Sequence, residues 1–253
     1  MCEDLNELYE AYFRDFQAEG IDQPHKLFTG SWRTPIAAKY LGLSPEVLIS
    51  GSSFVLVKLV REKVTQSITG DLRLKPEASE SLRSLQTGNT EAVLEFVQHY
   101  GSHYLREITV GESIYQVFAV STEQFQQLQR IIGSGVNTIG LSDWSSIYDL
   151  YLAPWLVRET GEVKAASGDF TLQKFIDTEL KVQGQFDTYP NLIESLVRNP
   201  SLLNRLEELS EKSVSVTGLN LASLRSFVID PQTQQFFDET INTHSSLFEV
   251  NVK

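Results

Sequence analysis

The sequence of 253 residues is poor in cysteine and in positive charge. Its one cysteine, Cys2, excludes an intrachain disulfide; it is an ordinary residue in a cytosolic protein, whereas in a secreted one it indicates a partner outside this segment. The chain carries 21 basic against 33 acidic residues, which gives a net charge of -12. Because phosphates attract clustered lysine and arginine, this balance argues against nucleic acid as a partner and against electrostatic attraction to anionic lipid.

Long apolar runs and a signal peptide are also missing. No stretch of 18 or more hydrophobic residues occurs, so no part of the sequence is expected to cross a membrane as a helix. A helical apolar stripe nevertheless begins almost at the first residue, and its members are Leu5, Leu8, Tyr9, Tyr12, Phe13 and Phe16. We therefore expect that the sequence lacks its natural N-terminus, and secretion stays compatible with it.

Hydrophobic residues make up 41% of the chain, which is enough for the core of one large domain. Helical and strand patterns both occur, and this mixture predicts an α+β fold. We divide the chain into a helical segment at 1–50, a core at 51–210 and a C-terminal extension of short strands and a helix at 211–253. These parts are expected to form one compact unit.

Apolar periodicity and capping residues predict the individual elements. Helices are expected from the N-terminus to Gly20, then at Trp32–Leu41, from Pro45, from Pro76, at Thr90–His99, after a capping box at Ser121–Gln124, at Phe170–Leu180, from Pro190, from Pro200 and at Pro231–Thr240. Strands are expected at Ser53–Val60, Val64–Leu74, Val214–Val216, Phe227–Ile229 and Leu247–Val252, in addition to the long strand described next.

One block of the sequence joins a helix to this long strand. The helix has Asn89 or Thr90 as its N-cap and is expected to end at Gly101. From there the period changes to 2, with apolar residues at Tyr104, Ile108, Val110, Ile114, Phe118 and Val120. One face of the strand is therefore expected to be buried. Gly111 lies inside it, where a glycine indicates a bulge, a bend or the close approach of another backbone segment.

The histidines of this block are the candidates for metal binding. Glu95, His99 and His103 are spaced four residues apart and would share one face of an unbroken helix. Because a break at Gly101 removes that common face, a hydrogen-bonded structural histidine is the preferred interpretation. The sequence offers no recognisable nucleophile, acid–base pair or cofactor motif, so we expect a protein without catalytic residues, metal or cofactor.

A second candidate site is an aromatic cluster in the second half of the chain. It consists of Trp144, Tyr148, Tyr151 and Trp155, around a helix that is expected to stop at Pro154. If these side chains are exposed, they form an anchor for a protein partner or a lipid interface. Aromatic residues at helical spacing also occur as plain core residues, and the sequence leaves both interpretations open.

The chain resembles the membrane-attack-complex/perforin (MACPF) family from about Ser53 to about Arg205. The resemblance rests on the strand at Ser53–Val60, the block Tyr100-Gly101-Ser102-His103-Tyr104, the strand around Gly111 and Ser167-Gly168-Asp169 before a helix. It implies a bent, twisted central antiparallel sheet flanked by helices. It also marks the five block residues and Gly111 as the fold signature, although the family has a glycine pair where Val110 precedes Gly111 here.

Segments that frame this core resemble one secreted insect developmental factor of the same family. They are Ala11–Phe16, Phe28–Trp32, Tyr151–Glu159 and Tyr189–Leu192. The resemblance implies a non-enzymatic extracellular protein that promotes local activation of a receptor tyrosine kinase. Its implied partners are proteins of receptor and ligand signalling, together with the cell surface or the eggshell matrix.

The alternative within the family is a membrane-binding or pore-forming effector. Each strand of a membrane hairpin needs roughly 9 to 11 residues to cross the hydrocarbon. The segment Arg61–Lys75 is too short for a hairpin in addition to its own strand, and Ser121–Ala166 contains Pro154, which removes a ladder hydrogen bond. Pore formation by this chain alone is therefore less favoured, and an enzyme without familiar motifs is the third hypothesis.

Overall fold

The computed structural model of the chain describes residues 1–30, 32–132, 152, 157–165, 170–180, 199–212 and 215–250. The chain divides into two compact units. The first comprises Met1–Phe13, Trp32–Val64 and Val110–Thr217, and the second comprises Arg14–Ser31, Thr65–Thr109 and Gly218–Lys253. Three strands, Ser53–Ser67, His103–Val120 and Ser215–Ser223, each include residues of both units. The three-part division drawn from the sequence stays a prediction.

Most of the helices are short. In chain order they are α1 (Leu5–Tyr12), α2 (Lys26–Thr29), α3 (Thr34–Leu41), α4 (Pro45–Ile49), α5 (Pro76–Arg83), α6 (Thr90–Tyr100), α7 (Thr122–Ile132), α8 (Phe170–Phe175), α9 (Pro200–Lys212) and α10 (Pro231–Val250). A π-helical turn, Ile176–Leu180, continues α8, and a 3-10 helix, Leu224–Phe227, precedes α10. Within the described part of the chain, no helix has the length and apolar character needed to span a membrane.

The strands form one mixed sheet. They are β1 (Phe16–Ala18), β2 (Ser53–Ser67), β3 (His103–Val120), β4 (Glu159–Thr160), β5 (Lys164–Ala165) and β6 (Ser215–Ser223). Their order is β1-β6-β3-β2, and β4 and β5 also pair with β3. β1 runs parallel to β6 with Phe16 opposite Leu219, whereas β4 and β5 run antiparallel to β3. The sheet is thus mostly antiparallel, and its longest strand, β3, carries the signature block at its start.

The second half of β3 forms the centre of the first unit. All ten residues from Gly111 to Val120 are buried. The expectation that only one face of this strand is buried is therefore wrong for this half, because α1 and α3 pack on the face of Val117, and α7 and α8 pack on the opposite face, which carries Ile114 and Phe118. The buried side chains here include Leu8, Leu41, Phe54, Val117, Phe118 and Leu128.

Six aromatic residues pack together in the first unit, and we call them the N-terminal aromatic cluster: Tyr9, Tyr12, Phe13, Trp32, Tyr40 and Tyr115. The ring of Tyr115 meets that of Tyr12 edge to face at 4.8 Å, and its hydroxyl donates a hydrogen bond to the carbonyl oxygen of Tyr40. Burial raises the pKa of Tyr115 well above its usual range and that of Tyr9 to about 12. The cluster joins the N-terminal helices to the central strand.

The second unit has its own core. The buried side chains of α5, α6, the 3-10 helix and α10 meet there, and they are Leu82, Leu85, Val93, Phe96, Leu224, Val228, Phe237 and Ile241. The rings of Phe96 and Phe237 pack at 6.1 Å between centroids. This packing holds α6, and with it the start of the signature block, against the C-terminal helix.

Most of the helix predictions in the described residues are confirmed. Helices begin at Pro45, Pro76, Thr90 and Pro200, as the capping patterns predict. The capping box is also present, because the N–H of Gln124 donates to the hydroxyl of Ser121 and the N–H of Ser121 donates to the side chain of Gln124. Ser44 is the N-cap residue of α4, but its hydroxyl donates to the carboxylate of Glu159 at 2.6 Å and makes no hydrogen bond to the helix.

Four element predictions are wrong. The first helix ends at Tyr12, and residues before Gly20 form β1, which pairs with β6. The two strands predicted between Ser53 and Leu74 are one strand that ends at Ser67. The segment Phe227–Ile229 is not a strand: Phe227 ends the 3-10 helix that the Ser223 hydroxyl starts by accepting the N–H of Arg225, and Val228 and Ile229 are irregular. The strand predicted from Leu247 is helical as far as Val250.

Candidate functional site

The signature block forms a corner between α6 and β3, within the second unit. The side chain of Asn89 accepts the N–H of Ala92 and so begins the helix. Gly101 ends it: its N–H donates to the carbonyl of Val97 at 2.9 Å, and its φ of 85° with ψ of 171° lies outside the regions open to other residues. Sequence and structure agree on both ends of this helix.

The corner is closed by two side chains of the block. Nε2 of His103 lies 2.8 Å from the carbonyl oxygen of Glu19, which can only accept, so this nitrogen carries a proton. Nδ1 lies 2.8 Å from the hydroxyl of Ser102, and in the neutral ring this nitrogen accepts a hydrogen bond that the Ser102 hydroxyl donates. The backbone of Ser102 also receives the N–H of Leu224 at 3.0 Å. The block is thereby bonded to two segments that are distant in sequence.

A network of charges continues from this corner. The N–H of Ser223 donates to the carboxylate of Glu19 at 3.2 Å. The guanidinium of Arg225 lies 3.6 Å from Glu19 and donates to Asp238 at 2.5 Å. Asp238 is the main cause that raises the pKa of Arg225. These bonds connect Glu19, whose carbonyl accepts the hydrogen bond of His103, to α10, so this histidine has a structural position.

The two tyrosines of the block have different surroundings. Tyr104 packs in the core of the second unit, where its ring meets Phe227 edge to face at 6.0 Å. Tyr100 is 42% exposed, and its ring lies beside those of Phe96 and His99. Of the signature side chains, Tyr100 is therefore the one that faces solvent.

Gly111 belongs to the first unit and is packed against β2. A Cβ atom at this position would lie 2.1 Å from the carbonyl oxygen of Arg61 and 2.9 Å from Cα of Glu62. Its φ is not positive, so close approach of the neighbouring strand explains the glycine and conformational strain does not. That Gly111 marks a bend of the sheet stays a prediction.

A buried ion pair follows Gly111 directly. The carboxylate of Glu112 is 3% exposed and lies 2.8 Å from Nζ of Lys63 on the neighbouring strand. This pair is not among the residues predicted from the sequence, although Glu112 stands at a position of the strand whose neighbours two residues away, Val110 and Ile114, are apolar. The pair lies next to the closest contact between β2 and β3.

The metal hypothesis does not fit the geometry at His103. Both of its ring nitrogens already have hydrogen-bonding partners, as the structural interpretation predicts. Glu95 and His99 line a groove on α6, away from those partners. Among the described residues, no group of three or more His, Cys, Asp or Glu side chains is placed to hold a metal ion.

Replacement of His103 by asparagine tests this structural position. We expect the variant to lose about 1–2 kcal/mol of unfolding free energy, because the bond to the Glu19 carbonyl is lost inside the corner. Urea denaturation followed by circular dichroism measures the loss. His99→Asn is the matched control, since His99 is exposed and its ring lies beside that of Tyr100; it should change stability by less than about 0.5 kcal/mol. Equal losses would contradict the assignment.

The second candidate site cannot be placed. Trp144, Tyr148, Tyr151 and Trp155 lie outside the described residues. Of the framing segment that contains two of them, Leu152 is fully buried and Glu159 accepts hydrogen bonds from Ser44. The choice between an exposed anchor and a core cluster therefore stays open.

Comparison with known proteins connects this geometry to a fold. No model of a protein family matches the sequence, and no curated protein matches it. The crystal structure of GNIP1Aa from Chromobacterium piscinae is similar over 98% of this chain, with a TM-score of 0.54 and 12% identity. A cell invasion protein with a MAC/Perforin domain from Bacteroides thetaiotaomicron is similar over 95% of the chain with 12% identity, but its TM-score of 0.41 is too low to establish a shared fold.

The chain therefore has an α+β, MACPF-like fold, a mostly antiparallel sheet flanked by helices, which confirms the fold class expected from the sequence. It spans 44% of the GNIP1Aa chain and 49% of the second protein, less than half of each. At this identity the likeness extends to the fold alone.

Proposed function

We propose that the chain is a secreted, non-enzymatic developmental signalling factor of the Torso-like type. In this role it promotes local activation of a receptor tyrosine kinase, Torso, during terminal patterning of the embryo. Its partners are proteins that carry or process the receptor's ligand, and it is retained at the cell surface or in the eggshell matrix. The proposal combines the MACPF-like fold with the resemblance of the framing segments to Torso-like.

The position of the framing segments is the observation that carries the proposal. Tyr12, Phe13 and Trp32 belong to two of these segments, and all three are members of the N-terminal aromatic cluster. Through Tyr12 the cluster meets Tyr115 of the central strand. The residues that resemble Torso-like are thus part of the packing around the MACPF-like strand. A chance similarity confined to surface loops would have no such role.

A non-enzymatic role is consistent with the state of the signature side chains. The ring of His103 bonds to the carbonyl of Glu19 and the backbone carbonyl of Ser102 accepts the N–H of Leu224, so both residues hold neighbouring segments of the fold together. The alternative of pore formation is less favoured, because β2 occupies Arg61–Ser67 and α5 begins at Pro76. Little chain is left between them for a membrane hairpin.

Receptor phosphorylation in mixed cultures tests the proposal. Insect cells that express the full-length product are grown beside cells that carry the receptor and the precursor of its ligand. We expect the product in the medium and on cell surfaces, with increased receptor phosphorylation in cells next to the producers. As a control, other cells produce the His103→Asn variant, which is expected to be secreted with a lower stability.

Two results would contradict the proposal. Secreted protein that leaves receptor phosphorylation unchanged would remove the signalling role, and protein confined to the cytosol would remove secretion. Liposomes of phosphatidylcholine and phosphatidylserine, loaded with a self-quenching dye, provide the comparison with the alternative. Dye release at physiological salt, with ring-shaped oligomers, would make the chain a pore former.

A further inference from the structure

A groove between α5 and α6 in the second unit has no part in the function proposed above. It encloses about 270 Å³ and is lined by Ser81, Ser84, Leu85, Ala92, Glu95, Phe96, His99 and Tyr100. Leu85 and Phe96 are buried and form its apolar floor. The volume is below the usual range for drug-sized ligands and is appropriate for a single side chain.

Aromatic rings line one side of this groove. The centroid of Tyr100 lies 5.1 Å from that of Phe96 and 6.0 Å from that of His99. Tyr100 is the exposed member of the signature block, so its ring is available to a ligand. An exposed aromatic ring attracts a cation through its negative face and also stacks on planar groups.

The electrostatics of the groove favour a positive charge. Glu95 is its charged lining residue, and no hydrogen bond or ion pair engages this carboxylate within the described residues. The last turn of α5 lines the groove with Ser81, and the C-terminal end of α6 lines it with His99 and Tyr100. The carbonyl ends of helices carry partial negative charge, which is stabilising for cations. The carboxylate, the helix ends and the aromatic rings therefore all favour the binding of a cation.

We propose that this groove binds an arginine side chain presented by a protein partner. The guanidinium group pairs with Glu95 and stacks on Tyr100, while the hydroxyl oxygens of Ser81 and Ser84 accept its remaining N–H groups. Arginine fits better than lysine because its planar group stacks on an aromatic ring and donates in several directions at once. The acidic balance of α5 and α6, with Glu77, Glu80, Glu91 and Glu95 against Arg83, attracts a basic segment to this face.

Nuclear magnetic resonance titration tests the inference with defined probes. N-acetyl-arginine N-methylamide is added to the ¹⁵N-labelled chain, and N-acetyl-citrulline N-methylamide, which has the same length and planarity but no charge, is added to a second sample. We expect saturable shifts of the amides of Ser84, Glu95 and Tyr100 with the arginine probe. Millimolar affinity is expected for a ligand of this size, and roughly fivefold or more weaker binding for citrulline.

Matched variants separate this site from general charge attraction. Glu95→Gln should weaken the arginine probe roughly five- to tenfold, and Tyr100→Leu roughly threefold. Glu91→Gln removes the same charge one turn earlier on α6, outside the groove, and should leave the affinity within roughly twofold. Amide spectra of the free variants show whether they are folded.

Equal binding of the two probes would overturn the proposal, as would equal effects of the variants at Glu91 and Glu95. The inference does not depend on the signalling role. Its failure would leave the mixed-culture result untouched, and the reverse also holds.

Discussion

Gly111→Val is expected to lower the free energy of unfolding by roughly 3–5 kcal/mol, or to prevent folding altogether. The added side chain begins at a Cβ that would lie 2.1 Å from the carbonyl oxygen of Arg61, inside any acceptable contact distance. Backbone atoms cannot rotate away as a flexible side chain does, so β2 and β3 would have to separate next to the buried pair Lys63–Glu112. Urea or thermal denaturation measures the loss.

A pair of alanine variants isolates the cause of this effect. Gly111→Ala introduces the clash without the bulk of valine. Gly88 has a left-handed φ of 89° and no atom within 4 Å of its Cβ position, so Gly88→Ala should cost only about 1 kcal/mol of backbone strain. We expect the variant at Gly111 to lose at least about twice as much. A melting temperature unchanged by Gly111→Val would show that the two strands are not in close contact here.

Lys63→Met is expected to cost roughly 2–4 kcal/mol, because it removes the cation from a carboxylate that is 3% exposed. Because the lysine side chain is 19% exposed, the expected loss of unfolding free energy is smaller than for a fully buried pair. Chemical denaturation at neutral pH measures the loss. Arg61→Met, two residues earlier on β2, is the control: its guanidinium lies 3.8 Å from Glu211, which is 70% exposed, and donates an exposed hydrogen bond to the carbonyl of Glu207, so less than about 1 kcal/mol is expected.

The double variant Lys63→Met with Glu112→Gln distinguishes the ion pair from side-chain packing. Because the neutral amide has a smaller desolvation cost than the carboxylate, the double variant should be more stable than Lys63→Met alone. The two substitutions are thus expected to be strongly non-additive. Additive losses would mean that Lys63 and Glu112 contribute to stability independently.

Local signals in the sequence predicted the helix at the signature block and its two ends. Asn89 caps it and Gly101 terminates it, and each acts through hydrogen bonds to residues three or four positions away. The starts of α4, α5 and α9 at Pro45, Pro76 and Pro200 were predictable for the same reason. A prediction from local spacing succeeds where the interactions that decide the conformation are themselves local.

The surroundings of the signature residues were not predictable in this way. The sequence marked His103 as a structural histidine, yet its partner is the carbonyl of Glu19, which lies 84 positions earlier in the chain. It marked Gly111 as a bulge, a bend or a close approach of another backbone segment, and the tertiary structure shows the close approach of the strand that carries Arg61. The groove beside Tyr100 likewise exists only because α5 packs against α6.

Two strands, β1 and β3, show the same difference between local and long-range interactions. Residues Phe16–Ala18 continue a helical apolar pattern, but they become a strand because β6, about 200 residues further on, offers a ladder of hydrogen bonds. The second half of β3 alternates in sequence and is nevertheless buried on both faces. The sequence by itself determined both ends of α6 and the starts of α4, α5 and α9, because the interactions that set them span only a few residues. The tertiary structure alone decided strand partners, burial and the Lys63–Glu112 pair, because these depend on contacts between distant segments.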